Sequence, residues 1–370
     1  MPPPRAAAAA KTVRRPLAFL LHSLFGLKLS LFLGFVCLTG TVATVSHEIE
    51  WLVQPEVRGT SNGRTDDYAA MWSLVRERHP DAWIQSIGTY DRSDSTWFAR
   101  QADIVLPDGT ERRVFIDPSR MVVTGEASGH SFHSVVRGLH YYLLLPTDWP
   151  FYLVTSLGFV LILSLVTGLL TYKKFWRGFL RMPRWNRSTR TWSGDLHRLM
   201  GLWSLWFVAV IGATSIWYFI ERAAPPMESA PPEAETRLYL PTPEAERVAR
   251  WVDAARRRFP GISVTFVQMP YGETDPVVVQ GQWRAMLVRE RTDAVFIDPA
   301  TDAIIGERRA DRMSAAERWV HTADPLHFGN FGGLASKLIW VLFGLMLTGL
   351  CVTGVIVFAK RTAHAARAIA

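Results

Sequence analysis

Four apolar stretches constrain this chain more than any other feature. They run roughly over residues 17–45, 151–172, 199–220 and 338–359. Each reaches the ~20 residues that a helix needs to cross a ~30 Å hydrocarbon core. The first is much longer than the apolar segment of a secretory signal, so it reads as a retained anchor. Composition agrees: 49% of the 370 residues are hydrophobic and only 20% are charged, which excludes an ordinary soluble enzyme and a disordered chain. Cys37 and Cys351 both sit inside apolar runs. They read as small buried hydrophobes and not as a disulfide framework.

Orientation follows from lysine and arginine. Arg5, Lys11, Arg14 and Arg15 precede the first span, and Lys360, Arg361 and Arg367 follow the fourth. The stretch 173–198 carries Lys173, Lys174, Arg177, Arg181, Arg184, Arg187, Arg190 and Arg198 against one acid, Asp195. The formal net charge of +8 belongs to these segments, since the rest of the chain holds more acid than base. Four spans place all three segments on one side, and the positive-inside rule makes that side cytoplasmic. The charge therefore marks topology, and a nucleic-acid partner is excluded.

The sequence repeats itself. Val114-Phe-Ile-Asp-Pro118 recurs as Val295-Phe-Ile-Asp-Pro299, Gly125-Glu126 as Gly306-Glu307, and Arg78-His79-Pro80 as Arg258-Phe259-Pro260. A helical stretch precedes each copy, Asp66 to Arg78 and Pro243 to Arg258, and alternating strand-like sequence follows, Trp83 to Ile87 and Val264 to Gln268. Each copy reads as one helix on an antiparallel sheet. Asp117 and Asp298 in the repeated Asp-Pro read as turn residues. The spans repeat as well: Leu21-His22-x-x-x-Gly26 and Leu196-His197-x-x-x-Gly201 open the first and third, while Leu139-His140 and Leu326-His327 precede the second and fourth.

Those motifs, with Leu-Thr-Gly inside the spans and Leu326-His-Phe-Gly-Asn-Phe-Gly-Gly333 before the last, resemble the PepSY-associated transmembrane family. The resemblance covers essentially residues 17–360. It implies an internally duplicated four-transmembrane-helix bundle with two small α+β, PepSY-like periplasmic domains. The parts would be a cytoplasmic N-terminus (1–16), spans over 17–46, 149–172, 197–220 and 335–359, outer domains over 47–148 and 221–334, a basic cytoplasmic loop (173–196) and a tail (360–370). Members of the family include iron-regulated inner-membrane proteins and siderophore-iron reductases with two b-type haems.

The histidines point the same way. A histidine in or at the edge of a membrane helix is costly and normally faces the bundle interior. His22 and His197 open two different helices at similar depth, and imidazoles on facing helices are the usual clamp for a haem iron. Gly26 and Gly201 lie one turn deeper on the same faces and leave room for a flat ligand. His140 and His327 form the corresponding outer pair. Two layers imply two haem b groups, and the lack of Cys-x-x-Cys-His excludes covalent attachment. His47, at the outer end of the first span, is an alternative outer ligand in place of His140 or His327. His133 and His321 are weaker alternatives. Arg137 and Arg198 stand beside ligand candidates as partners for haem propionates, and Lys28 and Lys337 read as snorkelling cations.

The combined expectation is an inner-membrane oxidoreductase that moves electrons outward through two haems. By resemblance its acceptor is a ferric siderophore or another iron chelate. The chain has no flavin or nicotinamide motif, so its donor is a cytoplasmic flavoprotein reductase or quinol. Two other readings stay open: a haem-free envelope protein whose outer domains bind or inhibit a peptidase, and a siderophore permease.

Overall fold

The computed structural model describes residues 17–60, 66–90, 96–172, 175–226, 231–234, 242–272 and 274–367, excepting the side chains of 18, 20, 24–28, 175–176 and 363–367. The basic N-terminus, Lys173 and Lys174, the side chain of Lys28, the surroundings of Gly26 and much of the Pro-rich stretch after residue 226 lie outside the described residues.

In chain order the elements are α1 (Leu17–Thr44), α2 (Ser46–Val53), α3 (Tyr68–Arg78), β1 (Trp83–Thr89), β2 (Arg100–Val105), β3 (Glu111–Asp117), β4 (Val122–Ser128), α4 (Phe132–Tyr142) and α5 (Trp149–Thr171). There follow α6 (Thr189–Trp203), α7 (Leu205–Ala223), α8 (Ala245–Arg258), β5 (Ser263–Gln268), β6 (Val277–Gln282), β7 (Asp293–Ile297), β8 (Ile304–Arg308), α9 (Ala315–Phe328) and α10 (Gly333–Arg367). The chain divides into two compact units. Unit 1 holds Met1–Cys37, Leu157–Ala213 and Leu345–Ala370; unit 2 holds Leu38–Ser156 and Thr214–Gly344.

Among the described residues, Trp149–Thr171, Leu205–Ala223 and Gly333–Thr362 are long and apolar enough to cross a membrane. A fourth span is reached if Leu29–Thr44 and Ser46–Val53, bent by 57°, count as one. At that bend the Ser46 hydroxyl donates to the Ala43 carbonyl at 2.8 Å, the kind of side-chain competition that breaks a helix. The expected third span, 197–220, is interrupted at Ser204, whose hydroxyl donates to Met200 O at 2.6 Å. His197 sits on the separate helix α6 and the apolar crossing falls to α7.

Unit 2 contains one eight-stranded antiparallel sheet in the order β4-β3-β2-β1-β5-β6-β7-β8. The two copies read from the sequence as separate domains therefore share a sheet, joined where Ser86, Ile87 and Gly88 pair with Gln268, Val267 and Phe266. Each copy left alone would expose an edge strand of unpaired backbone groups, and the seam removes both of those edges. α3 and α8 cover this sheet. Their fully buried Trp72, Met71, Trp251 and Val248 pack on Ile84, Ile87, Val267 and Val279, each such side chain contributing ~1.5–3 kcal/mol by leaving water. Tyr68 donates to Val264 O at 2.9 Å, bonding one copy to the other.

Local detail recurs between the copies. The β1–β2 ladder slips between Ile84 and Ser86, and the β5–β6 ladder slips between Val264 and Phe266. Asp117 accepts from the backbone of Ser119 and Arg120 at 3.0 Å, and Asp298 accepts from Ala300 at 2.7 Å and Thr301 at 3.2 Å. Both carboxylates are turn residues. α4 and α9 each open with a capping box, on Ser131 and Ser314.

The seam is tight. A Cβ on Gly88 would lie 2.4 Å from Thr265 O and 2.6 Å from the Phe266 ring. Gly88→Val should therefore destabilise unit 2 by about 1–3 kcal/mol. Thermal unfolding of the detergent-solubilised protein checks this, and an unchanged midpoint would speak against the pairing of β1 with β5.

Candidate functional site

In unit 1 the rings of His22 on α1 and His197 on α6 meet with centroids 6.3 Å apart and planes at 78°. His22 Nδ1 lies 3.2 Å from the Thr167 hydroxyl on α5. His197 Nδ1 lies 3.0 Å from the Thr353 hydroxyl and 3.1 Å from Leu350 O, both on α10. Thr167 and Thr353 also lie 2.7 Å from Leu163 O and Gly349 O of their own helices, which accept their hydroxyl protons in one rotamer. A carbonyl has no proton to give, so beside Leu350 O the Nδ1 of His197 is the donor and its Nε2 keeps a bare lone pair, the form of imidazole that binds metals.

Around these rings lies a cavity of about 530 Å³, within the ~300–1,000 Å³ range of small-molecule and cofactor sites. Its lining is predominantly apolar and includes Gly168, Gly194, Gly201 and Gly354. A Cβ on Gly168 would come 3.6 Å from His22 Cε1, and one on Gly354 3.5 Å from His197 Cε1. Gly201 lines the cavity, but a Cβ there would meet Leu350 at 3.7 Å. The glycines against the rings are thus Gly168 and Gly354, on the threonine-bearing helices.

The second pair, in unit 2, has the same plan. His140 on α4 and His327 on α9 lie with centroids 6.5 Å apart and planes at 42°. His140 Nδ1 is 3.2 Å from the Thr39 hydroxyl on α1, and His327 Nδ1 is 2.8 Å from the Thr214 hydroxyl on α7. Gly40 packs hard on His140, since a Cβ there would reach within 2.7 Å of its Cε1. Tyr218 meets His327 edge-on at 5.2 Å and donates to Asp324 at 2.7 Å.

The other candidates fall elsewhere. His47 stacks on His133, with centroids 3.9 Å apart and planes 18° from parallel, too close for an atom to lie between the rings. His133 also meets the Ser46 hydroxyl at 2.6 Å. Arg198 lines the unit 1 cavity, as does Arg361, but Arg198 is ion-paired with Asp195. That acid also takes Arg184 at 2.8 Å, and the Arg184 hydrogen bond holds its carboxyl down at about 2 against the opposing effect of burial. Arg137 lies over the rings of Tyr141 and Phe328, at 5.1 and 5.7 Å. Lys337 pairs with Glu48 at 2.6 Å, both side chains nearly buried.

Sequence reasoning missed the four threonines. A signal was present in Leu38-Thr39-Gly40, Val166-Thr167-Gly168 and Val352-Thr353-Gly354; only the first is the Leu-Thr-Gly noted above, and the other two carry valine in place of leucine.

The family model described as the PepSY-associated TM region matches residues 19–361. The chain belongs to that family. No curated protein matches it. This PepSY-associated protein is a membrane protein in which helices of spanning character accompany an antiparallel sheet.

The glycine contacts separate two substitutions that look alike in sequence. Gly354→Ala should shift stability by no more than ~0.5 kcal/mol, because its Cβ stops in ordinary contact with His197. Gly40→Ala must displace His140 from Thr39 and should cost about 1–3 kcal/mol. Unfolding midpoints of the two variants in detergent check the contrast, and equal midpoints would contradict it.

Proposed function

We propose that this protein is an internally duplicated, four-span inner-membrane electron-transfer protein. It holds one haem b between His22 and His197 and another between His140 and His327. Electrons enter on the cytoplasmic side, where both termini and the basic loop lie, and reduce chelated ferric iron on the periplasmic side.

The observation that carries this reading is the spacing of the two pairs. Two imidazoles bound through Nε2 to one metal atom have centroids ~6 Å apart, taking ~2 Å for each metal–nitrogen bond and ~1 Å from nitrogen to ring centre. The pairs stand at 6.3 and 6.5 Å. Among the described residues no group of three or more His, Cys, Asp or Glu is placed to hold a metal ion. Two donors per site are too few for a naked ion and the right number for iron already ringed by four porphyrin nitrogens. Gly168 and Gly354 leave the flat space that a macrocycle edge needs, and Arg198 and Arg361 supply cations at the cavity wall. Bound haem would supply a one-electron iron couple. The protein's own residues do the rest: the threonines orient the rings, and the apolar lining excludes water. Duplication is supported by His22 and His197 meeting Thr167 and Thr353, as His140 and His327 meet Thr39 and Thr214.

Protein purified from haem-replete cells should show about two low-spin b-type haems per chain. His22→Ala or His197→Ala should remove one, and His140→Ala or His327→Ala the other. A colourless preparation, or single variants that all keep both haems, would overturn the reading.

The donor can be tested separately. Exposed charges are screened beyond a Debye length of ~8 Å at 0.15 M salt, so docking of an acidic flavoprotein on the basic loop should weaken as salt rises. Stopped-flow reduction by such a reductase should slow with ionic strength, and further with Arg187→Glu. Arg184 is a poorer choice because it is bonded to Asp195. A rate indifferent to both changes would make quinol the donor.

A further inference from the structure

Unit 2 contains a second cavity, of about 1230 Å³, larger than the ~300–1,000 Å³ usual for small-molecule sites. Its walls combine arginines, Arg113 and Arg137 among them, with the rings of Tyr141 and Phe328 and with the acids Asp103, Glu221 and Asp324. Some of this charge is already spent within the protein. Arg289 is held by Asp324 at 2.5 Å, and Arg222 by Asp148 at 2.7 Å. Arg113 and Arg137 are not taken by any carboxylate among the described residues. Arg113 is 4% exposed and donates through Nε to Ser128 O and through Nη2 to His130 O. Its Nη1 makes no hydrogen bond of ordinary length and lies buried, with the Tyr90 hydroxyl beside the guanidinium, which leaves donor capacity for a ligand. Arg137 spreads its guanidinium over Tyr141 and Phe328, which fixes a planar, charged shelf on the cavity wall.

The position of that shelf matters. Tyr141 and Phe328 follow His140 and His327 directly in sequence, and each touches its histidine, at 5.4 and 5.5 Å between centroids. They also touch one another at 6.5 Å. The cavity wall and the second histidine pair therefore share the same aromatic rings.

The geometry points to a binding site for a polyanionic iron(III) chelate with planar aromatic oxygen donors, of the tris-catecholate kind, in preference to neutral or cationic chelates. This rests on the proposed reduction of chelated iron and names its substrate class. Guanidinium groups suit the task because they donate in parallel pairs to anionic oxygens and stack on flat rings. A simple anion would leave most of the volume unfilled.

Gallium(III) complexes test this without any electron transfer, so the result does not depend on reductase activity. Titration calorimetry on the detergent-purified full chain should show gallium(III) tris-catecholate, a trianion, binding at least about tenfold more tightly than a cationic gallium(III) trihydroxamate. Arg137→Glu should abolish that preference, and Arg137→Lys should keep most of it. Equal affinities, no binding of either complex, or a preference untouched by Arg137→Glu would overturn the inference. So would an Arg137→Glu variant that loses haem absorbance while binding both complexes as before, since that assigns the guanidinium to a propionate. A haem-free protein that still prefers the trianion would instead overturn the proposed function and leave the site standing.

Discussion

A threonine hydroxyl meeting a histidine Nδ1 across two helices is the contact on which this protein turns. An imidazole in an apolar bundle needs a hydrogen-bond partner, and the threonine supplies one at little cost. Thr167 and Thr353 have already bonded a carbonyl of their own helix, one turn back, so neither brings an unsatisfied proton into the bundle. The same bond ties neighbouring helices together and holds the ring in its orientation. It appears four times, on α5 and α10 in unit 1 and on α1 and α7 in unit 2. The glycine after three of these threonines lets the ring lie against the helix backbone.

Much of this was legible in the sequence, because hydropathy and repetition are linear signals. The apolar stretches, the repeated Phe-Ile-Asp-Pro turns and the paired Leu-His motifs could be counted directly, and the two histidine pairs that the repeat implies do come together in the fold. What stayed hidden depends on side chains meeting across helices. No local pattern says that Thr353 faces His197 and not lipid. Nor does composition reveal that His47 would stack on His133, which follows from the bend after Val45. Asp195 was read as the lone acid of a basic loop. Only in three dimensions does it become the anchor for Arg184 and Arg198.

The break at Ser204 and the bend at Val45 share a feature that composition obscures. Both interrupt sequence apolar enough to continue as helix, and in both a serine hydroxyl bonds a nearby carbonyl. Hydropathy sees one long span in each case. The chain is divided there nonetheless, and His47 and His197 lie on the shorter helix beside each break.

The eight-stranded sheet has a consequence for how this chain is made. β1 finds its partner only when β5 exists, and between them lie α4, α5, α6, α7 and α8. During synthesis the first four-stranded half must wait with Ser86, Ile87 and Gly88 unpaired while two apolar helices are inserted. An edge of that kind is a template for pairing with another chain. Its closure demands contacts between residues far apart in sequence, which form slowly. The early half is therefore the part of this protein most in need of protection from its neighbours, and a chain cut short before Ser263 would leave that edge open for good.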